Sequence, residues 1–308
     1  MSTQYFEQRE RALLGPRFDM LYAAPAETAA RGVTVSALRC SPQQFAQLAD
    51  FALQPSPFCA AGFAVDAPGF KPGRHPYHHA GVFYSQEPSA LISAELANIK
   101  PGEFVLDLCS APGGKSTQAA AKLCGEGILI SNEPILSRAK ILKENIVRMG
   151  VQNCVITNMY PEKLEKHFEG FFDKIIVDAP CSGEGMFRKD ETAVREWSIE
   201  HTLSCAERQF LILQSAYKML RGGGELVYST CTFSREENEN ICERFCEAFP
   251  DMSLLQMHRL MPHKIKGEGH FSALFEKSGE ESNQKRPEIK SVSKDLEKIS
   301  RDFEKENL

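Results

Sequence analysis

Two cysteines and one carboxylate carry the strongest chemical signal in this chain. Cys181 lies in Asp178-Ala179-Pro180-Cys181-Ser182-Gly183, and Cys231 lies in Ser229-Thr230-Cys231-Thr232, fifty positions later (231 minus 181). Each follows a short apolar run of strand character, Lys174-Ile175-Ile176-Val177 before the first and Glu225-Leu226-Val227-Tyr228 before the second. Strand ends of one parallel sheet open onto a common crevice, which is where α/β sheets bind ligands. A lone cysteine at a strand end is ordinarily a small buried hydrophobe. Two of them, one beside Asp-Ala-Pro, point instead to covalent chemistry with a thiolate as nucleophile.

A second signal lies upstream. Val105-Leu106-Asp107-Leu108-Cys109-Ser110-Ala111-Pro112-Gly113-Gly114-Lys115-Ser116 reads as a strand running through a Gly-rich turn into a helix. Such a turn lets backbone N–H groups and a helix N-terminus approach a ligand closely. A phosphate loop of the form Gly-x-x-x-x-Gly-Lys-Ser/Thr fails, because Cys109 stands where its first glycine belongs. The Gly-x-Gly-x-x-Gly dinucleotide fingerprint is absent. The remaining reading is an S-adenosylmethionine pocket, which also needs an acid at the end of the second strand to hold ribose hydroxyls. Glu133 stands there, twenty positions past Gly113 (133 minus 113). A plain helix-terminal acid would look the same in isolation.

The elements that must position these groups alternate. Apolar β-type runs fall at Phe104–Leu108, Gly127–Ile130, Cys154–Thr157, Lys174–Val177, Glu225–Tyr228, Met252–Gln256 and His270–Phe275. Helical periodicity lies between them, as in Ile135, Ala139, Leu142, Ile146 and Met149, which form one apolar stripe closed by Gly150. Ser204–Leu220 and Arg235–Phe249 read similarly. Strand–helix alternation predicts a mostly parallel, doubly wound sheet, here ending in a hairpin. Upstream, a helix near Tyr5–Leu14, a β-prone stretch Gly32–Leu38 and a helix Pro42–Leu53 suggest a small α+β unit, joined by an irregular Gly/Pro/His-rich connection from Pro55 to Gly81. From Glu276 the chain is highly charged, with Phe303 its one aromatic residue, and reads as a linker or marginal helix.

Composition sets limits. The chain has 308 residues, 42% of them hydrophobic, enough for a substantial core and two domains. No run approaches the roughly 18 consecutive apolar residues of a membrane span, and the polar start Met1–Arg11 lacks a signal-peptide core. A cytoplasmic location is expected. Ten scattered cysteines without a Cys-x-x-Cys pair suit reduced thiols better than disulfides. No metal site is expected: Cys242 and Cys246 lack a partner pair, and His75, His78 and His79 sit in an irregular segment. A net charge of −5 does not announce a nucleic-acid binder, yet a local basic face suffices for one.

Three blocks then occur in order: Asp107–Lys115, Asp178–Gly183 and Ser229–Thr232. Together they resemble the signature of the Sun/Nop family of RNA 5-methylcytosine methyltransferases. Glu184-Gly185-Met186-Phe187-Arg188-Lys189 and Gly267-Glu268-Gly269-His270-Phe271 narrow the resemblance to the bacterial 16S rRNA small-subunit methyltransferase F branch, over about residues 1–277. The resemblance implies an α/β fold with a Rossmann-like seven-stranded S-adenosylmethionine methyltransferase sheet at 101–277. A small α+β N-terminal domain of RNA-binding type precedes it at 1–100, and a charged linker or tail follows at 278–308. It implies methyl transfer from S-adenosyl-L-methionine to carbon 5 of a cytosine in RNA, foremost 16S rRNA in the small ribosomal subunit, by a monomer.

The resemblance also assigns roles. Cys231 is the nucleophile, Asp178 holds the N3 and exocyclic-amine edge, and Cys181 serves elimination. Lys115 stands near them, able to favour a thiolate or orient Asp178. The cofactor set comprises Cys109, Ser110, Ala111, Pro112, Gly113, Gly114, Lys115, Glu133, Arg138, Asn158 and Asp178. Arg188 and Lys189 read either as phosphate contacts or as a solvated basic pair. The target base must leave its stack to reach the thiols. Asn158 departs from the Asp common in the family. Branch members usually continue into a C-terminal RNA-binding domain with a PUA-like part, and nothing after Glu276 resembles one. The same chemistry on tRNA, and a non-catalytic cofactor-bound ribosome-assembly module, stay open as alternatives. So does a DNA cytosine-5 methyltransferase, because Pro180-Cys181 resembles the Pro-Cys block of those enzymes.

Overall fold

The computed structural model describes residues 2–22, 31–67, 69–279 and 298. The expectation for the charged tail therefore falls, from residue 280 on, almost entirely outside the described residues.

The chain opens with helices α1 (Ser2–Leu14) and α2 (Arg17–Tyr22). Then come β1 (Arg31–Val35), α3 (Pro42–Leu48), β2 (Leu53–Pro55), β3 (Gly62–Val65), α4 (Pro76–His79) and β4 (Phe83–Gln86). The strands form an antiparallel sheet in the order β2-β3-β1-β4. Phe45 of α3 packs on it among Val33, Val35, Phe63, Val65 and Phe83. Helix α3 starts in a capping box, Gln44 N–H donating to Ser41 Oγ at 3.1 Å and Ser41 N–H to Gln44 Oε1 at 3.1 Å. It ends earlier than its periodicity suggests, because Leu53 is taken into β2 opposite Val65. The Pro55–Gly81 stretch is more regular than its composition implies. It holds β3, too short between its breakers to declare itself, and the single turn α4.

Helix α5 (Leu91–Leu96) leads into the larger unit. There β5 (Phe104–Asp107), α6 (Gly114–Leu123), β6 (Ile128–Asn132), α7 (Leu136–Arg148), β7 (Cys154–Thr157), α8 (Pro161–Leu164) and β8 (Phe172–Asp178) alternate. They are followed by α9 (Glu191–Glu196), α10 (Ile199–Met219), β9 (Leu220–Thr230), α11 (Glu239–Ala248), β10 (Met252–Leu260) and β11 (His270–Lys277). The seven strands run β10-β11-β9-β8-β5-β6-β7. The five from β5 to β9 are parallel, and the closing β10–β11 hairpin is antiparallel, as the sequence pattern predicts.

Strand alternation distributes the core. Leu106, Ile175, Leu226 and Phe275 face one side with Phe210, Leu213 and Phe245 of α10 and α11. Val105, Ile176, Val227 and Leu274 face the other with Ala94, Ala119, Ala120 and Leu123 of α5 and α6. Full burial of each large aliphatic side chain is worth roughly 1.5–3 kcal/mol. On α7 the stripe buries Ala139, Leu142 and Ile146, with Gly150 in the left-handed region (φ 73°) after the helix. Ile135 falls outside it. It is the residue before the first turn and stands 50% exposed at the edge of a cavity.

The two units are joined at defined points. Phe6 of α1 stacks edge-on against Trp197 and Phe187, with ring centroids 5.0 and 4.9 Å apart. Arg148 of α7 donates to His78 O at 2.6 Å, and the backbone N–H of Glu268 donates to Glu87 Oε1 at 2.8 Å. No helix among the described residues is long and apolar enough to cross a membrane.

Candidate active site

Strands β8 and β9 lie side by side with Asp178 opposite Ser229, so the chain emerges from both at the same level of the sheet. The turns that follow bring Cys181 Sγ and Cys231 Sγ to 3.3 Å, both as free thiols. The turns are stitched together: Ser182 Oγ and Thr232 Oγ1 are hydrogen-bonded at 2.8 Å, and Gly185 N–H donates to Cys231 O at 2.8 Å. Only glycine fits at 185, where a Cβ would stand 2.7 Å from that carbonyl oxygen. The Cys181 thiol is pushed well above its ordinary range, first by its hydrogen bond with Cys231, then by burial and by the charges of Cys231 and Glu237.

The carboxylate stands beside the thiols. Asp178 Oδ2 is 2.7 Å from Lys115 Nζ, and Asp178 Oδ1 accepts from Ser229 Oγ at 2.8 Å. Burial alone would raise the Asp178 carboxyl, but the Lys115 ammonium outweighs it and holds the group below the usual carboxylate range. Lys115 is carried by the first turn of α6, which opens at Gly113 in the left-handed region (φ 115°). Behind the pair lies His270 of β11, 3% exposed, with Nε2 3.9 Å from Asp178 Oδ1 and 3.0 Å from Ser93 Oγ. Burial first, then the neighbouring Lys115 charge, push His270 down to about 3, so the imidazole is neutral and shares a hydrogen bond with Ser93.

Asp178 and the two thiols border a cavity of about 1050 Å³, lined among others by Cys109, Ala111, Glu133 and Arg138. It opens between β5 and β8, where the strand order reverses. Glu133 is 2% exposed; its Oε1 accepts from Ile135 N–H at 2.9 Å, and its Oε2 is 3.4 Å from Arg138 Nη1. Arg138 also donates to Ala111 O at 2.9 Å, pinning the turn. Ser110, Pro112, Gly113, Gly114, Lys115 and Asn158 are not among the lining residues. They shape the loops behind it: Ser110 Oγ donates to Asp107 O at 2.6 Å, and Asn158 Nδ2 donates to Glu133 O at 2.7 Å. Asp107 is fully buried; burial pushes it up to about 6 although Ser116 Oγ donates to it at 2.6 Å.

Several supporting residues have partners that the sequence does not reveal. Glu184 Oε1 accepts from Trp197 Nε1 at 3.0 Å and from Arg9 Nη2 at 2.7 Å, while its Oε2 accepts from Phe233 N–H at 2.9 Å. Glu237 Oε2 accepts from Ser182 N–H at 3.0 Å and from Gln209 Nε2 at 2.7 Å. Glu184 opens the block that narrowed the resemblance, and Glu237 falls in the stretch Arg235–Phe249 read as helical, but neither reading assigned the glutamate a partner. Arg188 is half-buried and Lys189 exposed, and both face one buried carboxylate. Arg188 Nη2 is 2.7 Å and Lys189 Nζ 3.8 Å from the buried Glu268 carboxylate, which offsets one of their two charges.

Residues 94–278 match the family model described as 16S rRNA methyltransferase RsmB/F. The chain belongs to the RsmB/F family. Residues 3–88 match the N-terminal domain of 16S rRNA methyltransferase RsmF, the unit carrying the four-stranded sheet. A Ribosomal RNA small subunit methyltransferase F from Enterobacter sp. (strain 638) is 37% identical over 254 residues, 80% of this chain and 53% of that protein. The chain thus spans about half the length of the curated RsmF relatives it matches. A methyltransferase homolog from Pyrococcus horikoshii is 27% identical with a TM-score of 0.79, over 89% of this chain and 94% of that one. NSun6 from Pyrococcus horikoshii, solved with SFG, shares the fold at 21% identity and a TM-score of 0.78, over 89% of this chain and 97% of that one. The RsmB/F assignment bears out the expected family, its F branch, and the Rossmann-like sheet with a separate N-terminal domain.

Proposed function

We propose that this chain transfers a methyl group from S-adenosyl-L-methionine to carbon 5 of a cytosine in RNA, with 16S rRNA of the small ribosomal subunit as the substrate, through a covalent adduct on Cys231. One observation carries the reading: two free thiols at 3.3 Å beside an Asp178–Lys115 ion pair, at the rim of a cavity whose other side holds Glu133 and Arg138. The names of the RsmF relatives agree with an rRNA substrate.

The cavity fits the cofactor. Its floor is the turn at Cys109 and Ala111, and the buried Glu133 carboxylate, held by Arg138, is an acceptor suited to ribose hydroxyls. When bound, S-adenosylmethionine supplies an electrophilic methyl group. The residues of the chain do the rest. The Cys231 thiolate adds to carbon 6 of the ring while N3 takes a proton from water, and Asp178, ionised beside Lys115, accepts from the N3–H and the exocyclic amine. Carbon 5 becomes nucleophilic and takes the methyl group. Cys181 serves the elimination: the carbon 5 proton leaves, the C6–S bond breaks, and Cys231 returns as thiolate.

Labelled substrate RNA on a denaturing gel tests this. Cys231→Ala should form no adduct and no methylated product. Cys181→Ala should attack and methylate but fail to release, accumulating a denaturant-resistant protein–RNA complex. The double variant should form none. An adduct from Cys231→Ala and none from Cys181→Ala would reverse the two roles.

A further inference from the structure

The two thiols are close to equivalent in covalent terms. Each follows a parallel strand, each borders the same cavity, and they touch at 3.3 Å. Something must decide which one is the nucleophile. The two environments differ in charge: Glu237 is buried under the Cys181 turn. Its Oε2 takes the backbone N–H of Ser182, the residue after Cys181, at 3.0 Å. Gln209 of α10 braces the arrangement, its Nε2 reaching Glu237 Oε2 at 2.7 Å and Pro180 O at 3.0 Å. The hydroxyl of Tyr228 donates to the Glu237 backbone carbonyl at 2.6 Å. Cys181 is thus flanked by two residues, Pro180 and Ser182, that are both fastened to the Glu237–Gln209 pair.

We propose that Glu237 is the positioning residue that divides the work between the two cysteines: its carboxylate, fixed beneath the Cys181 turn, leaves Cys181 protonated and Cys231 to carry the negative charge. This inference rests on the reading of Cys231 as the attacking thiolate.

The physics is that of one negative charge shared by two adjacent sites. Two thiolates in contact in a poorly hydrated turn repel strongly, so the pair carries a single charge. A third negative group on the Cys181 side pushes that charge to Cys231. The titratable groups facing Glu237 are Cys181 above it, Cys205 of α10, Tyr228 of β9 and Glu184 of the neighbouring turn. Glu184 raises Glu237 in turn, so the bias reaches full strength only above neutrality. Burial pushes Glu237 up to about 7, so the bias strengthens as pH rises through neutrality. The arrangement also times the second half of the reaction. Once Cys231 is bonded to carbon 6 it carries no charge, and its hold on Cys181 is gone. Cys181 can then lose its proton to water, accept the carbon 5 proton, and the C6–S bond electrons return to Cys231.

Alkylation of the intact chain with iodoacetamide, read by peptide mass spectrometry, tests this without RNA. The exposed Cys124 serves as internal standard. At about pH 8 Cys231 should react about tenfold or more faster than Cys181, since one pH unit in a thiol's ionisation changes its thiolate fraction about tenfold. In Glu237→Gln, which keeps the shape and removes the charge, the ratio should fall to about threefold or less. An unchanged ratio in that variant, or Cys181 reacting first in the parent, overturns the assignment. If Glu237→Gln does not fold, the parent decides: its Cys231-to-Cys181 ratio should climb through about pH 7, and a flat ratio overturns the assignment. Failure of the underlying reading shows differently, as a chain with the expected alkylation preference that forms no adduct with RNA in Cys181→Ala.

Discussion

Arg9 of the first helix holds the buried carboxylate of Glu184 at 2.7 Å, across 175 positions of sequence. Glu184 lies three residues past Cys181, and its other oxygen fixes the backbone of Phe233, two past Cys231. The N-terminal helix is therefore part of the frame that sets the two cysteine turns. Arg9→Leu leaves a buried carboxylate without its cation and should destabilise the chain by about 3 kcal/mol. Urea unfolding measures this, and a double variant with Glu184→Gln should recover part of the loss. A change below about 1 kcal/mol would mean the pair is no more than a surface contact.

Lys115→Met removes the cation that keeps Asp178 ionised. The Asp178 carboxyl then rises, as burial alone dictates. The acid limb of the methylation rate should move to higher pH, and the rate at neutral pH should fall by about a hundredfold. The pH–rate profile is the measurement. An acid limb that stays in place would separate Lys115 from Asp178 ionisation.

His270 is held neutral, its folded value near 3 against an ordinary 6.5. The depressed value means the unfolded chain binds the extra proton first. The stability from this group is complete above about 6.5 and is lost as pH falls towards about 3. Between pH 7 and pH 5 the parent should lose about 2 kcal/mol relative to His270→Gln, which cannot titrate. Denaturant melts of both proteins at the two pH values check this; parallel curves would refute it.

Glu133→Ala should weaken binding of S-adenosylmethionine, or of its demethylated product, by about tenfold or more, the worth of one hydrogen bond to a charged group. Isothermal titration reads the effect. Unchanged affinity would remove Glu133 from the ribose role, and comparable binding of ATP would restore the phosphate-loop reading of Gly114-Lys115-Ser116.

Much of this was legible in the sequence because it is local. The strands of the larger sheet announce themselves as apolar runs, and the motif residues sit at their ends. The proximity of Cys181 to Cys231 follows from strand adjacency alone. What stayed hidden depends on distant partners. Nothing about Glu237 or Arg9 in isolation distinguishes them from solvated charges, and the block that contains Glu184 does not disclose its role; the partners are Trp197, Gln209 and Phe233, elsewhere in the chain. Arg188 misleads for the same reason, since its partner Glu268 is eighty positions away. Strand β3 escaped notice because four residues between glycine- and proline-rich flanks give too little periodicity to read.

The pairing of Asp178 with Ser229 across β8 and β9 makes the fifty residues between the thiols slack rather than a ruler. Length can be added where that excursion is exposed, and the thiols keep their places because the sheet holds them. A single residue inserted inside either strand is another matter. It turns every following side chain to the opposite face and sends one thiol through the sheet, away from its partner. The tolerance belongs to the exposed positions of the excursion; Glu184, Gly185, Trp197, Gln209 and the buried face of α10 are as constrained as the two short strands that flank it.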